Sequence, residues 1–229
     1  KVFSTAFAEF DIYRNLVFKT QFGFDFSHTT GFSQSFPSYA PNQGEGSASR
    51  SSTDGLNLQM TNTLTYRFDL MNIHDFNFLL GHEWQDYHTE RFGVATAGQT
   101  NDFLTDISTG TRATSWNSTS TSDYSRVSFF GRAEYNFMDR FYADMSLRTD
   151  GSSRFGSNNR WGLFGSVGLM WNFRNESAMA AHRDWLTLGQ VAFSTGTNGN
   201  SDIPNYEHLA LIGGGADYVG DSGVAPVQP

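Results

Sequence analysis

The stretch LNLQMTNTLTYRFDL, residues 56–70, alternates between two chemistries. Leu56, Leu58, Met60, Leu64, Tyr66, Phe68 and Leu70 fall on one parity, with Asn62 the single polar exception. Asn57, Gln59, Thr61, Thr63, Thr65, Arg67 and Asp69 fall on the other. Successive side chains of a strand point to opposite faces, so this is one long strand with an apolar face and a polar face. Its length matters. Strands of soluble proteins run about 5–6 residues, whereas a tilted strand crossing a bilayer needs roughly 9–11.

The same period recurs on both sides of it. Leu16, Phe18, Phe22, Phe24 and Phe26 oppose Lys19, Gln21, Asp25 and Ser27. Val127, Phe129, Ala133, Tyr135 and Phe137 oppose Arg126, Ser128, Arg132, Glu134 and Asn136. Phe141, Ala143, Met145 and Leu147 oppose Tyr142, Asp144, Ser146 and Arg148. The pattern predicts an all-β fold of about eight antiparallel strands, near 2–12, 16–27, 56–70, 75–87, 123–137, 140–149, 161–174 and 186–195. The connections expected between them alternate short and long. Tight turns fall at 13–15, 71–74 and 138–139, and longer polar segments at 27–55, 88–122 and 150–160. Transmembrane β-barrels are built this way, with short turns on one side and long loops on the other. Large aromatics crowd the short turns (Tyr13, Tyr66, Phe68, Tyr135, Phe137, Phe141, Trp171, Phe173, Trp185), and Trp84, Tyr87, Tyr124 and Trp161 stand at the opposite strand ends. Two such girdles are expected where a barrel meets the two membrane interfaces. A soluble β-sandwich would need neither.

Composition removes other classes. Of 229 residues 16% are aromatic and only 17% charged, with 22 Phe, which is not the make-up of a disordered chain. Lys and Arg number 15 against 23 Asp and Glu, so no basic surface for nucleic acid is expected. No apolar run is long enough for a transmembrane helix. There is no cysteine, and hence no disulfide, thiolate nucleophile or Cys-ligated metal. The first residues lack the pattern of a signal peptide. Mean hydropathy is −0.43, as expected if half of every strand faces water.

Catalytic patterns are absent from the sequence. His82, Asp86 and His88 share a parity, but the zinc-protease spacing fails because Asp86 stands where the second His is needed, and no metal is assigned. Gly213-Gly214-Gly215 matches neither a P-loop nor a calcium loop, and no Gly-x-Ser-x-Gly elbow occurs. No enzymatic activity and no cofactor are expected. Asn117-Ser118-Thr119 and Asn175-Glu176-Ser177 fit the glycosylation sequon, which would be irrelevant in a bacterial membrane barrel. The long segments carry the candidate substrate contacts Tyr39, Asp102, Asp106, Arg112 and Trp116, aromatic platforms with carboxylates that suit a sugar or a peptide.

One region goes beyond periodicity. Phe130-Gly131-Arg132-Ala133-Glu134-Tyr135-Asn136-Phe137 is followed by Arg148-Thr149-Asp150-Gly151-Ser152-Ser153-Arg154-Phe155-Gly156, then Arg160-Trp161-Gly162 and, further on, Asp184-Trp185-Leu186-Thr187-Leu188. This resembles the barrel signature of SusC/RagA-type TonB-dependent outer-membrane transporters, tightly over residues 130–205. Gly165, Met170 and Gly189 depart from the pattern outside the hairpin. The motif residues Gly131, Arg132, Arg148, Asp150, Gly151, Ser152, Ser153, Arg154, Phe155 and Gly156 are read as structural. Asp150-Gly151 is expected to end a strand with a positive-φ turn, Ser152 and Ser153 to bond neighbouring backbone, and the charged members to pair with one another.

The resemblance implies TonB-dependent import of oligosaccharides or peptides across the outer membrane. It further implies a SusD-like surface lipoprotein as partner, a TonB complex engaged through another segment, contact with outer-membrane lipid, and a barrel of about 22 strands around a plug. With only eight strands, no plug-like stretch and no TonB box, residues 1–229 read as an internal part of the barrel wall. The rival expectation is a small complete eight-stranded barrel serving as an anchor or adhesin.

Overall fold

The computed structural model describes residues 1–39, 44–114, 118–156, 160–182, 184–199, 203–206, 212–218 and 221–226. Its strands are β1 (Val2–Tyr13), β2 (Leu16–Ser35), β3 (Gly46–Leu70), β4 (His74–Gln99), β5 (Arg112–Ala113), β6 (Ser118–Phe137), β7 (Phe141–Ser152), β8 (Trp161–Trp171), β9 (Val191–Gly196), β10 (Ile212–Tyr218) and β11 (Asp221–Pro226). The main sheet runs β1-β2-β3-β4-β6-β7-β8-β9, with β5 on β4, while β10 and β11 form a separate two-stranded sheet. Apart from β5, each strand of the path lies beside its sequence neighbour, the order of a meander. β1 and β9 end the path without pairing to each other, so the eight strands do not close into a barrel of their own. The small-barrel expectation fails on that point.

Chain contacts divide the molecule into two compact units. One comprises Lys1–Thr5, Gly23–Leu58 and Asp86–Asp123, the other Ala6–Phe22, Gln59–Gln85 and Tyr124–Pro229, and β1 to β4 and β6 contribute residues to both.

In the second unit, tight turns hold the hairpins. Met71, Asn72, Met138 and Asp139 all have φ between 53° and 58°. Positive φ at both central residues is the hairpin turn whose twist matches the strands. At the second turn Asn136 Nδ2 donates to Asp139 Oδ1 at 2.7 Å, and Asp139 N–H returns a bond to Asn136 Oδ1 at 3.0 Å. The turn sets the register that follows, Phe137 opposite Phe141 and Arg126 opposite Ser152, and β8 continues it with Trp171 opposite Phe141.

That register stacks the aromatics of the apolar face into a belt beside the turns. Ring centroids lie 4.8 Å apart for Phe68–Phe76, 4.9 Å for Phe76–Tyr135, 6.5 Å for Phe137–Phe141 and 6.4 Å for Phe141–Trp171. A shorter row, His82–Phe129–Trp161, stands toward the other end of the same strands. Among the described residues nothing covers this face: Leu163 is 73% exposed and Leu80 64%. Among the described residues only Ala48 and Ala95 are buried hydrophobics. A sandwich would bury such a face against a second sheet, and an apolar surface of this extent needs a partner phase or protein.

Four strands outrun the bounds expected from alternation. β2 continues to Ser35, β3 starts at Gly46, β4 reaches Gln99 and β6 begins at Ser118. Both faces of those extensions are rich in Ser, Thr, Gly and charge, so hydrophobic periodicity is silent there while backbone pairing continues. At the other end two strands fall short. β8 stops at Trp171, and short 3-10 turns take over at Phe173–Asn175 and Ser177–His182. β9 starts at Val191 because Arg174 draws the preceding segment off the ladder, its Nε donating to Leu186 O at 2.7 Å and its backbone N–H to Gly189 O. The glycine-rich tail carries the β10–β11 pair, with an irregularity in its register between Gly214 and Ala216.

Candidate functional site

The first unit gathers the predicted loop contacts. After β4 the chain folds back on itself. Gly98 takes φ +93°, where a Cβ would also strike Thr111, so the reversal demands glycine. The returning segment pairs as β5, Thr96 with Ala113 and Ala97 with Arg112. Asp106 caps the 3-10 turn Ile107–Thr109 through Ser108 N–H at 3.0 Å, and Thr96 Oγ1 donates to Ile107 O at 2.8 Å. Arg112 forms an ion pair with Glu45, while Arg50 lies 3.9 Å from Asp106 and over the Phe32 ring. Gln99, 1% exposed, fills the space beneath, and Phe103 N–H is tied to Asn101 Oδ1.

Of the sequence candidates, Asp106 and Arg112 are therefore engaged in holding the segment itself. Asp102 accepts from Ser38 N–H at 3.0 Å, which joins the β2–β3 connection to the β4–β6 connection. It thereby sets Tyr39, 61% exposed, and Phe103, 89% exposed, each one residue from that bond. Bonds from Ser38 hold the Asp102 carboxyl below the usual carboxylate range, and those from Ser108 do the same for Asp106. Trp116 lies outside the described residues.

The charged motif residues Arg132, Arg148 and Asp150 occupy the polar face of the second unit, while Gly131 and Gly151 share the parity of the apolar one. Arg148 Nε donates to Asp150 Oδ1 at 2.7 Å and its Nη2 to Ser128 Oγ at 3.0 Å. Glu83, 15% exposed, lies 3.4 Å from Arg126 and 3.6 Å from Arg148, and Arg126 also donates to Gln85 at 3.0 Å. Arg132 pairs with Glu134 at 2.9 Å, and Gly131 lies opposite Leu147. The expected turn at Asp150-Gly151 is not there. β7 runs through Ser152, with Gly151 opposite both Val127 and Trp161 and without positive φ. Glycine fits here for a different reason: a Cβ would stand 3.0 Å from three atoms of the Trp161 indole, a tight contact that the indole would have to relieve. The chain reverses only afterwards, where Ser153 exchanges bonds with Ser125 and Phe155 N–H reaches Ser152 O, just before Gly156. Arg154 lies 4.1 Å over Tyr124 and donates to Asn205 at 2.7 Å.

Sequence reading passed over Glu83, Gln85, Tyr124 and Asn205 as partners. The first two share the parity of Asp75 and Asn77 on β4, so facing polar parities could have found them. The same polar face holds a recess of about 630 Å³ lined by Arg67, Asp69, Asp75, Glu134 and Asp144. His82 and His88 have separate neighbours, Asn62 at 3.5 Å and Asp123 at 2.5 Å. Among the described residues no group of His, Asp and Glu could hold a metal ion.

Long strands with one uncovered apolar face, an aromatic belt beside tight turns and a charged, hydrated opposite face define a segment of membrane β-barrel wall. The family profile described as TonB dependent receptor-like, beta-barrel, matches residues 3–226, and the chain belongs to that family. It is 29% identical over 221 residues to TonB-dependent receptor P3 of Formosa agariphila, covering 95% of this chain and 22% of that protein. It is 33% identical over 107 residues to TonB-dependent receptor SusC of Bacteroides thetaiotaomicron, covering 47% and 10%. Its structure is similar to one titled "Structure of the RagAB peptide transporter", with TM-score 0.89 and 32% identity over 99% of this chain and 25% of that one. The chain thus spans about a quarter or less of the length of these proteins.

Proposed function

We propose that these residues form part of the barrel wall of a TonB-dependent importer in the outer membrane, whose substrates are nutrient oligomers. Peptides are the first substrate class and oligosaccharides the second. The observation that carries the reading is the likeness to the RagAB peptide transporter across almost the whole chain, at an identity that outlasts mere sharing of fold. The physics is compatible with it. The apolar face meets lipid, the belt meets the headgroups, and the charged face lines the passage. The Glu83–Arg148 network braces β4, β6 and β7 where a passage wall must bear load. Ligand contact falls to the loop residues Tyr39 and Asp102, with Asp106 and Arg112 positioning them. A SusD-like surface lipoprotein is the expected lid, and energy comes through TonB contacts made by another part of the whole protein.

The test uses cells carrying the full-length protein. Uptake of labelled oligopeptides that requires both the protein and TonB, together with co-purification of a surface lipoprotein, is expected. Uptake unchanged by loss of TonB would overturn the reading.

A further inference from the structure

The loop face of the first unit carries a charge pattern that selects among substrates. Lys1, Arg50 and Arg112 each face a carboxylate of the same unit, Asp25, Asp106 and Glu45, and Arg91 is also engaged. An anionic substrate would therefore have to displace an existing ion pair. Carboxylates are in excess there, eight against four Lys and Arg in the unit. Asp102 is bonded by Ser38 alone, so among the described residues no side-chain cation neutralises it. The same bond fixes it in the loop that presents Tyr39 and Phe103 to solvent.

A ring that is nearly nine-tenths exposed yet carried on a segment tied by the Phe103 N–H, Leu104 N–H and Asp102 bonds is preorganised for contact rather than left loose. The chain already uses this chemistry on itself: Lys19 stacks over Phe7, Arg50 over Phe32 and Arg154 over Tyr124. Aromatic faces beside an ionised carboxylate are what a cationic group seeks.

We infer that Asp102, with Tyr39 and Phe103 beside it, is a subsite for the basic side chain of a peptide substrate, a lysine or an arginine. The carboxylate takes the charge and the rings take the aliphatic stem and the face of the cation. The inference rests on the importer reading above and narrows its substrate class.

The test is binding of two short peptides by the full-length protein with its native partners, purified from the outer membrane. The peptides are identical except that one carries arginine where the other carries citrulline, its neutral isostere. The arginine peptide is expected to bind about five- to tenfold more tightly. Asp102→Asn keeps an acceptor for Ser38 N–H and should erase that preference with little effect on the citrulline peptide. Phe103→Ala should weaken the arginine peptide by about fivefold. Equal binding of both peptides, unchanged by Asp102→Asn, would overturn the subsite and leave peptide import standing. Binding of neither peptide, with an oligosaccharide bound instead, would overturn the substrate reading and the subsite with it.

Discussion

At the scale of single residues, the polar face is organised by one carboxylate. Glu83 is the shared neighbour of Arg126 and Arg148, and each arginine has a further partner, Gln85 or Asp150. Removing the shared charge leaves two guanidinium groups to repel across neighbouring strands. Glu83→Gln is therefore expected to cost about 1–3 kcal/mol, read as a lower urea midpoint of the full-length barrel refolded in vesicles. Glu90→Gln, on an exposed stretch of the same strand, should leave the midpoint in place. Asp106 makes a second prediction. Its carboxyl titrates below the usual range because Ser108 bonds the ionised form, so its folded pKa is depressed relative to the unfolded chain. The cap is then intact above the unfolded carboxylate pKa of about 3.9 and is lost as pH falls through the lower folded value. Pepsin cleavage beside Phe103 and Leu104, followed as pH is lowered, should accelerate through that window in the native protein. In Asp106→Asn, which keeps an acceptor that does not titrate, the acceleration should be absent. Residue type singled out Asp102, Asp106 and Arg112 as candidate contacts, but it could not foresee their partners within the chain, Ser38, Ser108 and Glu45, nor that Arg112 stands in β5. Gly151 teaches the same lesson: glycine after aspartate reads as a turn, yet it stands inside β7 with the Trp161 indole close against it.

At the scale of elements, alternation located strands well where one face is apolar and stopped where both faces are polar. That is why β3 is visible from Leu56 but not from Gly46, and β4 as far as Tyr87 but not to Gln99. The segment before β9 failed differently. Leu186 and Leu188 alternate as a strand should, but the Arg174 side chain claims the Leu186 carbonyl. A long-range side-chain bond of this kind leaves no local signal. The turns were legible as short, though not as left-handed. Met138, like Met71, is a costly member, since a non-glycine residue at positive φ with no short polar side chain is strained. Met138→Asn is expected to stabilise the β6–β7 hairpin by about 0.5–1 kcal/mol, measured as a raised urea midpoint in the same vesicle assay. Asp139 should be left alone, because its bonds with Asn136 hold the register that aligns the aromatic belt.

At the scale of the whole molecule, the two faces of the sheet make opposite demands, and substitutions can set them against each other. Leu163 on β8 belongs to the uncovered apolar face, whereas Thr63 on β3 lines a recess on the polar face with Lys19 and Arg67. A cation placed in lipid must be dehydrated or must drag water into the hydrocarbon, while one placed in a hydrated lumen does neither. Leu163→Arg is therefore expected to cost about 2–4 kcal/mol near the bilayer midplane, and Thr63→Arg little. The check is assembly of the full-length protein in the outer membrane, followed by the heat-dependent mobility of the folded barrel on gels. Loss of the folded band for Leu163→Arg with its retention for Thr63→Arg assigns the apolar face to lipid. The reverse result would assign it to a protein partner or to the lumen, and the uncovered leucines of β4 and β8 would then need a different occupant. The contrast bears on the proposed import as well, because that proposal needs the charged side, with the Glu83 network and the recess, to face a water-filled passage rather than lipid.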